Sequence, residues 1–341
     1  MDLSKLYSIL QNEPEYRKKQ IKRALFVDLV EKWEDVTTLP LTLRLQLSKE
    51  CLLSINAQSF HAKDNESQKT LIRLSDGFMI ESVLMHHKNG RNTVCVSSQI
   101  GCPLGCIFCN TGMQGFKRNL TAFEIIEQVL YFARLPIKKN EKVNNVVFMG
   151  MGEPFLNYDN VITAIKILND PEGFGLGARH ISVSTSGIVP GIEKFTHENL
   201  EVNLALSLHA PNDILRLKLM PINKKYPLQE VLNAIGKYIK KTNRRVMFEY
   251  ILIQNVNDSP KFALELTQLV KPFLGFVNLI PYNDTGKFKA SPSQKIQAFK
   301  KILEQNGVTV TQRHKFGDGV HGACGQLVYQ KEVPFGKPPL V

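Results

Sequence analysis

Gly101-Cys102-Pro103-Leu104-Gly105-Cys106-Ile107-Phe108-Cys109 gathers three of the chain's six cysteines into one CxxxCxxC window. Thiolates at that spacing on one loop can hold three irons of a [4Fe–4S] cluster. The fourth iron is then left open to a small molecule. Zinc is the competing reading. A closed structural zinc site needs a fourth ligand, which His209 or Cys324 would have to supply through the fold. Plain packing of small apolar side chains is a third reading, and the spacing and flanking glycines argue against it. Cys95 and Cys324 lie outside the window and are 229 residues apart. Taken alone, each reads as a small buried apolar residue.

A cluster loop needs a scaffold, and the rest of the chain describes one. The 341 residues are 43% hydrophobic and 22% charged, enough to bury a core without disulfide staples. No apolar run reaches the roughly 18 residues of a membrane helix, so no membrane partner is expected. Met1-Asp2-Leu3-Ser4-Lys5 does not open a secretory signal. A cytoplasmic, reducing setting is therefore expected. The excess of 43 Lys and Arg over 31 Asp and Glu, a formal +12, points to a polyanionic partner such as RNA.

From Thr93 onward, strand-like runs alternate with helix-like ones. The strand candidates are Val94–Ile100, Asn145–Met149, His180–Thr185, Val202–His209, Val246–Ile253 and Phe276–Pro281. Thr121-x-x-Glu124 reads as a capping box, and Ser259-Pro260 and Ser291-Pro292 read as helix starts. Strands separated by single helices imply right-handed βαβ units and a parallel sheet. About six units are too few to close an eight-fold barrel. The expected fold is α/β: a partial (β/α)6 barrel over 93–315, a small helical N-terminal domain over 1–66, a β-hairpin extension over 67–92 and a C-terminal loop over 316–341. The hairpin rests on Asp76-Gly77 and Asn89-Gly90 between apolar runs. A basic helical stretch from Glu15 to Trp33, with Arg17, Lys18, Lys19, Lys22 and Arg23, is a candidate RNA-contacting surface.

Further motifs fall at the C-terminal ends of the strands, where ligand contacts concentrate. They are Phe148-Met149-Gly150-Met151-Gly152-Glu153-Pro154, Val183-Ser184-Thr185-Ser186-Gly187, Ser207-Leu208-His209-Ala210-Pro211, Met220-Pro221-Ile222-Asn223 and Ile280-Pro281-Tyr282-Asn283. Cys95-Val96-Ser97-Ser98-Gln99 precedes the window, and Ala323-Cys324-Gly325-Gln326-Leu327 lies near the C-terminus. With the cysteine window, this ordered set resembles the RlmN/Cfr family of radical S-adenosylmethionine (radical SAM) RNA adenine C-methyltransferases. The resemblance extends from Asn12-Glu13-Pro14 to Leu327.

The resemblance implies a [4Fe–4S] cluster on Cys102, Cys106 and Cys109, and S-adenosylmethionine used twice per turnover. It implies cofactor contacts from Gly152, Glu153, Ser184, Ser207, Leu208, His209 and Asn283. It further implies that Cys324 accepts a methyl group, that a 5′-deoxyadenosyl radical activates it, and that Cys95 resolves the resulting RNA adduct through a disulfide with Cys324. Glu81, in Ile80-Glu81-Ser82-Val83, matches a position proposed as proton acceptor, against the alternative of a solvent-facing strand residue. The implied reaction is methylation of C2 of an adenine in the peptidyl-transferase centre of 23S rRNA, and in tRNA. It would be carried out by a monomer fed by an external one-electron reductant. Methylation at C8 is the alternative within the family. A zinc-containing RNA-binding module without catalysis is the alternative outside it. One departure stands out: His321 and Gly322 replace the family's Asp and Ala before Ala323-Cys324, and the added glycine is expected to loosen that loop, with Asp318 as a substitute acid.

Overall fold

The computed structural model describes residues 3–63, 65–135, 142–313 and 322–331. Near the N-terminus, helices Leu3–Leu10, Glu15–Phe26 and Leu41–Glu50 enclose a small core of their own. Leu6, Ile21, Leu25, Leu43 and Leu47 fill it, with Trp33 at its centre. The indole of Trp33 donates to the Cys51 carbonyl at 2.6 Å, so neither Trp33 nor Cys51 faces solvent. The basic helix stops at Phe26 instead of running to Trp33, and Leu29 turns the chain with a φ of 53°. Much of its charge is spent within the chain. Lys18 pairs with Glu15, Arg23 with Asp28, and Lys22 with Asp170 and Glu172 of the larger domain.

An eleven-stranded sheet organises the rest. It opens with antiparallel strands Ala57–His61, Ser67–Arg73 and Phe78–His86, followed by Asn92–Cys95. The two turn signals behave as their sequences dictate. Gly77 and Gly90 adopt φ of 84° and 80°, and Asp76 and Asn89 accept from the amides two residues on. The sheet begins earlier than the sequence suggests, because Ala57–His61 pairs with Ser67–Arg73.

Beyond Asn92–Cys95 the sheet is parallel. Val143–Phe148, Ile181–Thr185, Asn203–Ser207, Val246–Leu252, Gly275–Pro281 and Val310–Gln312 follow in spatial order. The last of these, three residues long, is absent from the sequence reading. The run Val94–Ile100 is not one strand but two. Asn92–Cys95 belongs to the main sheet, whereas Gln99–Gly101 pairs with Phe116–Asn119 in a separate ribbon. The break between them is held by side chains: Gln128 accepts from the Ser97 amide and donates to the Ser97 carbonyl, and Ser97 Oγ donates to the Glu81 carbonyl. The parallel strands start at Asn92–Cys95 and end at Val310–Gln312 without meeting, so the barrel is partial.

Helices Ala122–Arg134, Tyr158–Asn169, Val189–Thr196, Leu228–Thr242, Pro260–Val270 and Ser293–Gln305 return the chain between strands. Ile125, Ile126, Val129, Ile165, Ile192, Val231, Ile235 and Leu266 bury their apolar stripes against the sheet. The Thr121–Glu124 capping box forms with both bonds, and Ser259 caps the helix that opens on Pro260. Ser291 does not cap: its hydroxyl donates to Asp258 Oδ2 at 3.0 Å, and the following helix starts without a side-chain cap. Among the described residues, no helix is long and apolar enough to cross a membrane.

Lys69 and Glu81 face each other across two antiparallel strands and are almost wholly buried, with Nζ 2.9 Å from Oε1. Removing one partner strands a charge in a dry interior, which costs roughly 3–5 kcal/mol. Lys69→Met is therefore expected to lower the urea midpoint strongly, and Lys69→Met/Glu81→Met to lower it less. A double variant as unstable as the sum of its two singles would show that the pair is not coupled.

Candidate active site

The cysteine window is a loop closed at its base by the ribbon of Gln99–Gly101 and Phe116–Asn119. Gly101 makes the closure feasible. Its φ is 74°, and a Cβ there would lie 1.9 Å from the Gly115 carbonyl oxygen. The loop is pinned from within and from outside. The Cys109 amide donates to the Cys106 carbonyl at 3.1 Å, and the Ile107 amide donates to the Leu219 carbonyl at 3.1 Å.

Burial first, and nearby negative charge after it, raise the three thiols. Cys102 is pushed up to about 12 by burial, and Cys106 and Cys109 are raised for the same leading reason. Cys102 and Cys106 also feel the charge of neighbours in the window, and Cys109 that of Cys324. Such a group stays protonated until positive charge arrives. Irons would supply that charge and favour the thiolates, so the donor set fits a cluster. Among the described residues, no three His, Cys, Asp or Glu side chains are gathered as a site for a single metal ion. A cluster, by contrast, offers each thiolate its own iron.

Beside Cys109, the ends of the parallel strands enclose a cavity of about 140 Å³. Gly150, Gly152, Glu153, Ser184, Ser207 and His209 line it. Gly152 sits at φ 99°, where a Cβ would lie 2.5 Å from that of Gln99. Both carboxylate oxygens of Glu153 accept backbone amides, from Phe155 at 3.1 Å and Ser186 at 2.8 Å. Glu153 thus ties two strand ends together. The Ser184 and Ser207 hydroxyls are 3.2 Å apart. His209 has a φ of 57°, and its Nδ1 accepts from the Ile251 amide at 3.2 Å. Burial, reinforced by the nearby guanidiniums of Arg216 and Arg313, pushes its pKa down to about 3 and keeps the ring neutral. With Nδ1 accepting, Nε2 carries the proton. Leu208 is fully buried and does not line this cavity.

A second cavity, about 40 Å³, adjoins the first. Cys95, Asn283, Gly322 and Cys324 are in its wall, and Cys324 lines both cavities. Cys95 and Cys324 are both free thiols. Burial first, and the charge of Cys324 second, push Cys95 up to about 12. Asn283 donates to the Cys324 carbonyl at 3.1 Å, so it holds the cysteine-bearing segment here. Gly322 is buried in the cavity wall, whereas Asp318 and His321 lie outside the described residues. Glu81 is neither solvent-facing nor in either cavity wall. Oε1 takes Lys69, and Oε2 accepts the Val328 amide at 3.0 Å, four residues past Cys324.

Three charged residues missed in the sequence reading belong to this region. Arg216, fully buried, donates to Asn223 Oδ1 at 2.8 Å and to the Ser186 carbonyl at 2.6 Å. It explains the Met220-Pro221-Ile222-Asn223 motif as a support for two strand ends. Glu249 and Arg313 line the first cavity. Glu249 sits within a strand that the sequence disclosed, whereas Arg313 follows one that it did not, so no local signal marked Arg313.

Residues 96–266 match the model of the radical SAM superfamily. A probable dual-specificity RNA methyltransferase RlmN from Dictyoglomus turgidum is 46% identical over 330 residues, covering 96% of this chain and 94% of that protein. The ribosomal RNA large subunit methyltransferase N of Nitrosopumilus maritimus is 43% identical, covering 95% and 98%. The crystal structure of a radical SAM methyltransferase from Sphaerobacter thermophilus superposes with a TM-score of 0.90 at 43% identity, covering 96% and 97%. With near-complete coverage in both directions, the chain belongs to the RlmN family within the radical SAM superfamily.

Proposed function

We propose that this chain methylates C2 of an adenine in RNA by way of a methyl group carried on Cys324. The observation that carries the reading is the place of Cys324 on the wall shared by both cavities. From there one sulfur faces the strand-end cavity on one side and Cys95 on the other. The substrate proposed is the peptidyl-transferase-centre adenine of 23S rRNA, with tRNA as the second substrate. The names of the relatives, dual-specificity RNA methyltransferase and ribosomal RNA large subunit methyltransferase, support both halves of that reading.

Cys102, Cys106 and Cys109 would hold the cluster. With S-adenosylmethionine bound and an external one-electron donor, that cluster supplies a 5′-deoxyadenosyl radical. Gly150 and Gly152 leave backbone bare at the strand ends, where the cofactor would lie. Ser184, Ser207 and the Nε2–H of His209 offer it polar contacts. Cys324 would accept the methyl from a first S-adenosylmethionine. Such a relay answers a chemical obstacle, since C2 of adenine is an electron-poor amidine carbon and does not attack a sulfonium. C2 also lies on the pairing edge, so the base must leave its stack to reach the cavity. Cys95 would release the product by bonding to the Cys324 sulfur.

Two expectations follow from these roles. Cys102→Ala, Cys106→Ala and Cys109→Ala should each lose iron and reductive cofactor cleavage together, by iron assay and 5′-deoxyadenosine chromatography. Retained cleavage in any of them would remove the cluster assignment. Cys324→Ala should form neither methylated protein nor RNA adduct. Cys95→Ala should accumulate protein covalently joined to RNA on denaturing gels. Identical behaviour of the two variants would contradict the relay, and recovery of 8-methyladenine from digested RNA would contradict the C2 assignment.

A further inference from the structure

Arg313 follows the short strand Val310–Gln312, and its amide donates to the Leu279 carbonyl at 2.8 Å. Its side chain runs into the site. Nη1 lies 2.9 Å from Cys324 Sγ and Nη2 lies 3.1 Å from Met149 Sδ. Like Cys324, Arg313 lines both cavities. The nearby acid is Glu249. Its Oε2 accepts from Asn278 at 2.9 Å, and its Oε1 is buried with no hydrogen-bond partner among the described residues.

This is an unusual use of a guanidinium. Arginine's planar fork normally grips carboxylate or phosphate through two parallel bonds. Here the two prongs grip two sulfurs. A thioether such as Met149 is a weak acceptor and returns little for a buried cation. The Cys324 sulfur returns much more once it is an anion, because the bond is then charge-assisted. The fork also fixes direction. Met149 follows the strand Val143–Phe148, next to Gly150, so it indexes the guanidinium to the strand end the cofactor would occupy.

We propose that Arg313 is the positioning residue for the Cys324 sulfur in the first methyl transfer, holding it as a nucleophile on the wall between the two cavities. The inference rests on the proposed role of Cys324 as methyl acceptor. The thiol proton leaves to solvent before attack. Sγ then bonds to the methyl carbon of S-adenosylmethionine as the bond from that carbon to the sulfonium breaks. The electron pair stays on the departing sulfur, giving S-adenosylhomocysteine, and no oxidant or reductant takes part. Arg313 gives up no proton at any stage. A lysine keeps the charge but lacks the rigid planar fork that fixes one donor on each sulfur.

The test uses cluster-loaded enzyme with S-adenosylmethionine alone, without RNA or reductant. Methylation of the Cys324 peptide is followed by mass spectrometry, cofactor affinity by equilibrium dialysis, and loading by iron assay. Arg313→Met should slow maximal methylation roughly 10–100-fold, the range of one hydrogen bond to an anion. Its cofactor affinity should fall by less than about threefold at that same scale of single contacts. Arg313→Lys should recover part of the rate. A wild-type rate in Arg313→Met overturns the role of Arg313 while leaving the methyl relay standing. Absence of methylation in the wild-type enzyme overturns both. If Arg313→Met does not load iron, Arg313→Lys decides, and a wild-type rate there overturns the two-point grip.

Discussion

The tether between the cysteine window and the Cys324 segment is the constraint on which the site depends. Over two hundred residues separate them in sequence. The Asn110 amide donates to the Gly325 carbonyl at 2.8 Å, and Thr111 Oγ1 donates to the Leu327 carbonyl at 2.6 Å. Gln114 and Tyr329 share three further bonds, at 3.2 Å, 2.9 Å and 3.3 Å. On the far side, Glu81 takes the Val328 amide, and Gln330–Lys331 pairs with the start of Phe78–His86. Each bond contributes only about 0.5–1.5 kcal/mol. Together they position one sulfur against the window on one side and Cys95 on the other.

Cys324 itself is half-buried, and buried charged groups surround that position. Arg216 has its guanidinium pushed down to about 10 by burial, yet its nitrogens are spent on carbonyls and Asn223. Burial raises Glu153, and the two amides that bind its oxygens pull it back. Arg313 is raised above the usual arginine value, with Cys324 the leading cause and Glu249 a further one. Burial raises Glu249, and Arg313 draws it down again. A neutral His209 adds no charge to this set. The strand ends therefore carry hydrogen-bonded dipoles and neighbouring opposite charges, the kind of preset polarity that favours a charged ligand.

What the sequence disclosed was local. The CxxxCxxC window, the Asp76-Gly77 and Asn89-Gly90 turns and the Thr121–Glu124 capping box are read from neighbours a few residues apart, and their chemistry is complete at that range. The parallel sheet was legible because its strands are short apolar runs separated by helices. The break at Ser97 was not, because the side chain that holds it is Gln128, thirty-one positions away. Ser291 failed as a cap for a similar reason, since Asp258 competes for its hydroxyl. Arg216, Glu249, Arg313 and Lys69 are charged residues that burial makes important, and burial is a property of the assembled fold. Glu81, offered as a base by the family resemblance alone, has buried bonds to Lys69 and the Val328 amide that no local pattern announces, and they anchor the segment that carries Cys324.

The most direct measurement is of the distance between the two remote thiols. Cluster-loaded protein can be oxidised mildly with diamide, digested, and mapped for cysteine pairs without reduction. Both sulfurs face one small cavity, and a disulfide requires Cα atoms within about 4.4–6.8 Å. A Cys95–Cys324 peptide should therefore appear first and dominate, with Cys51 unmodified beneath Trp33. Oxidation that leaves Cys95 and Cys324 unpaired, or joins either of them to Cys51, would contradict the placement of Cys324 between the two cavities.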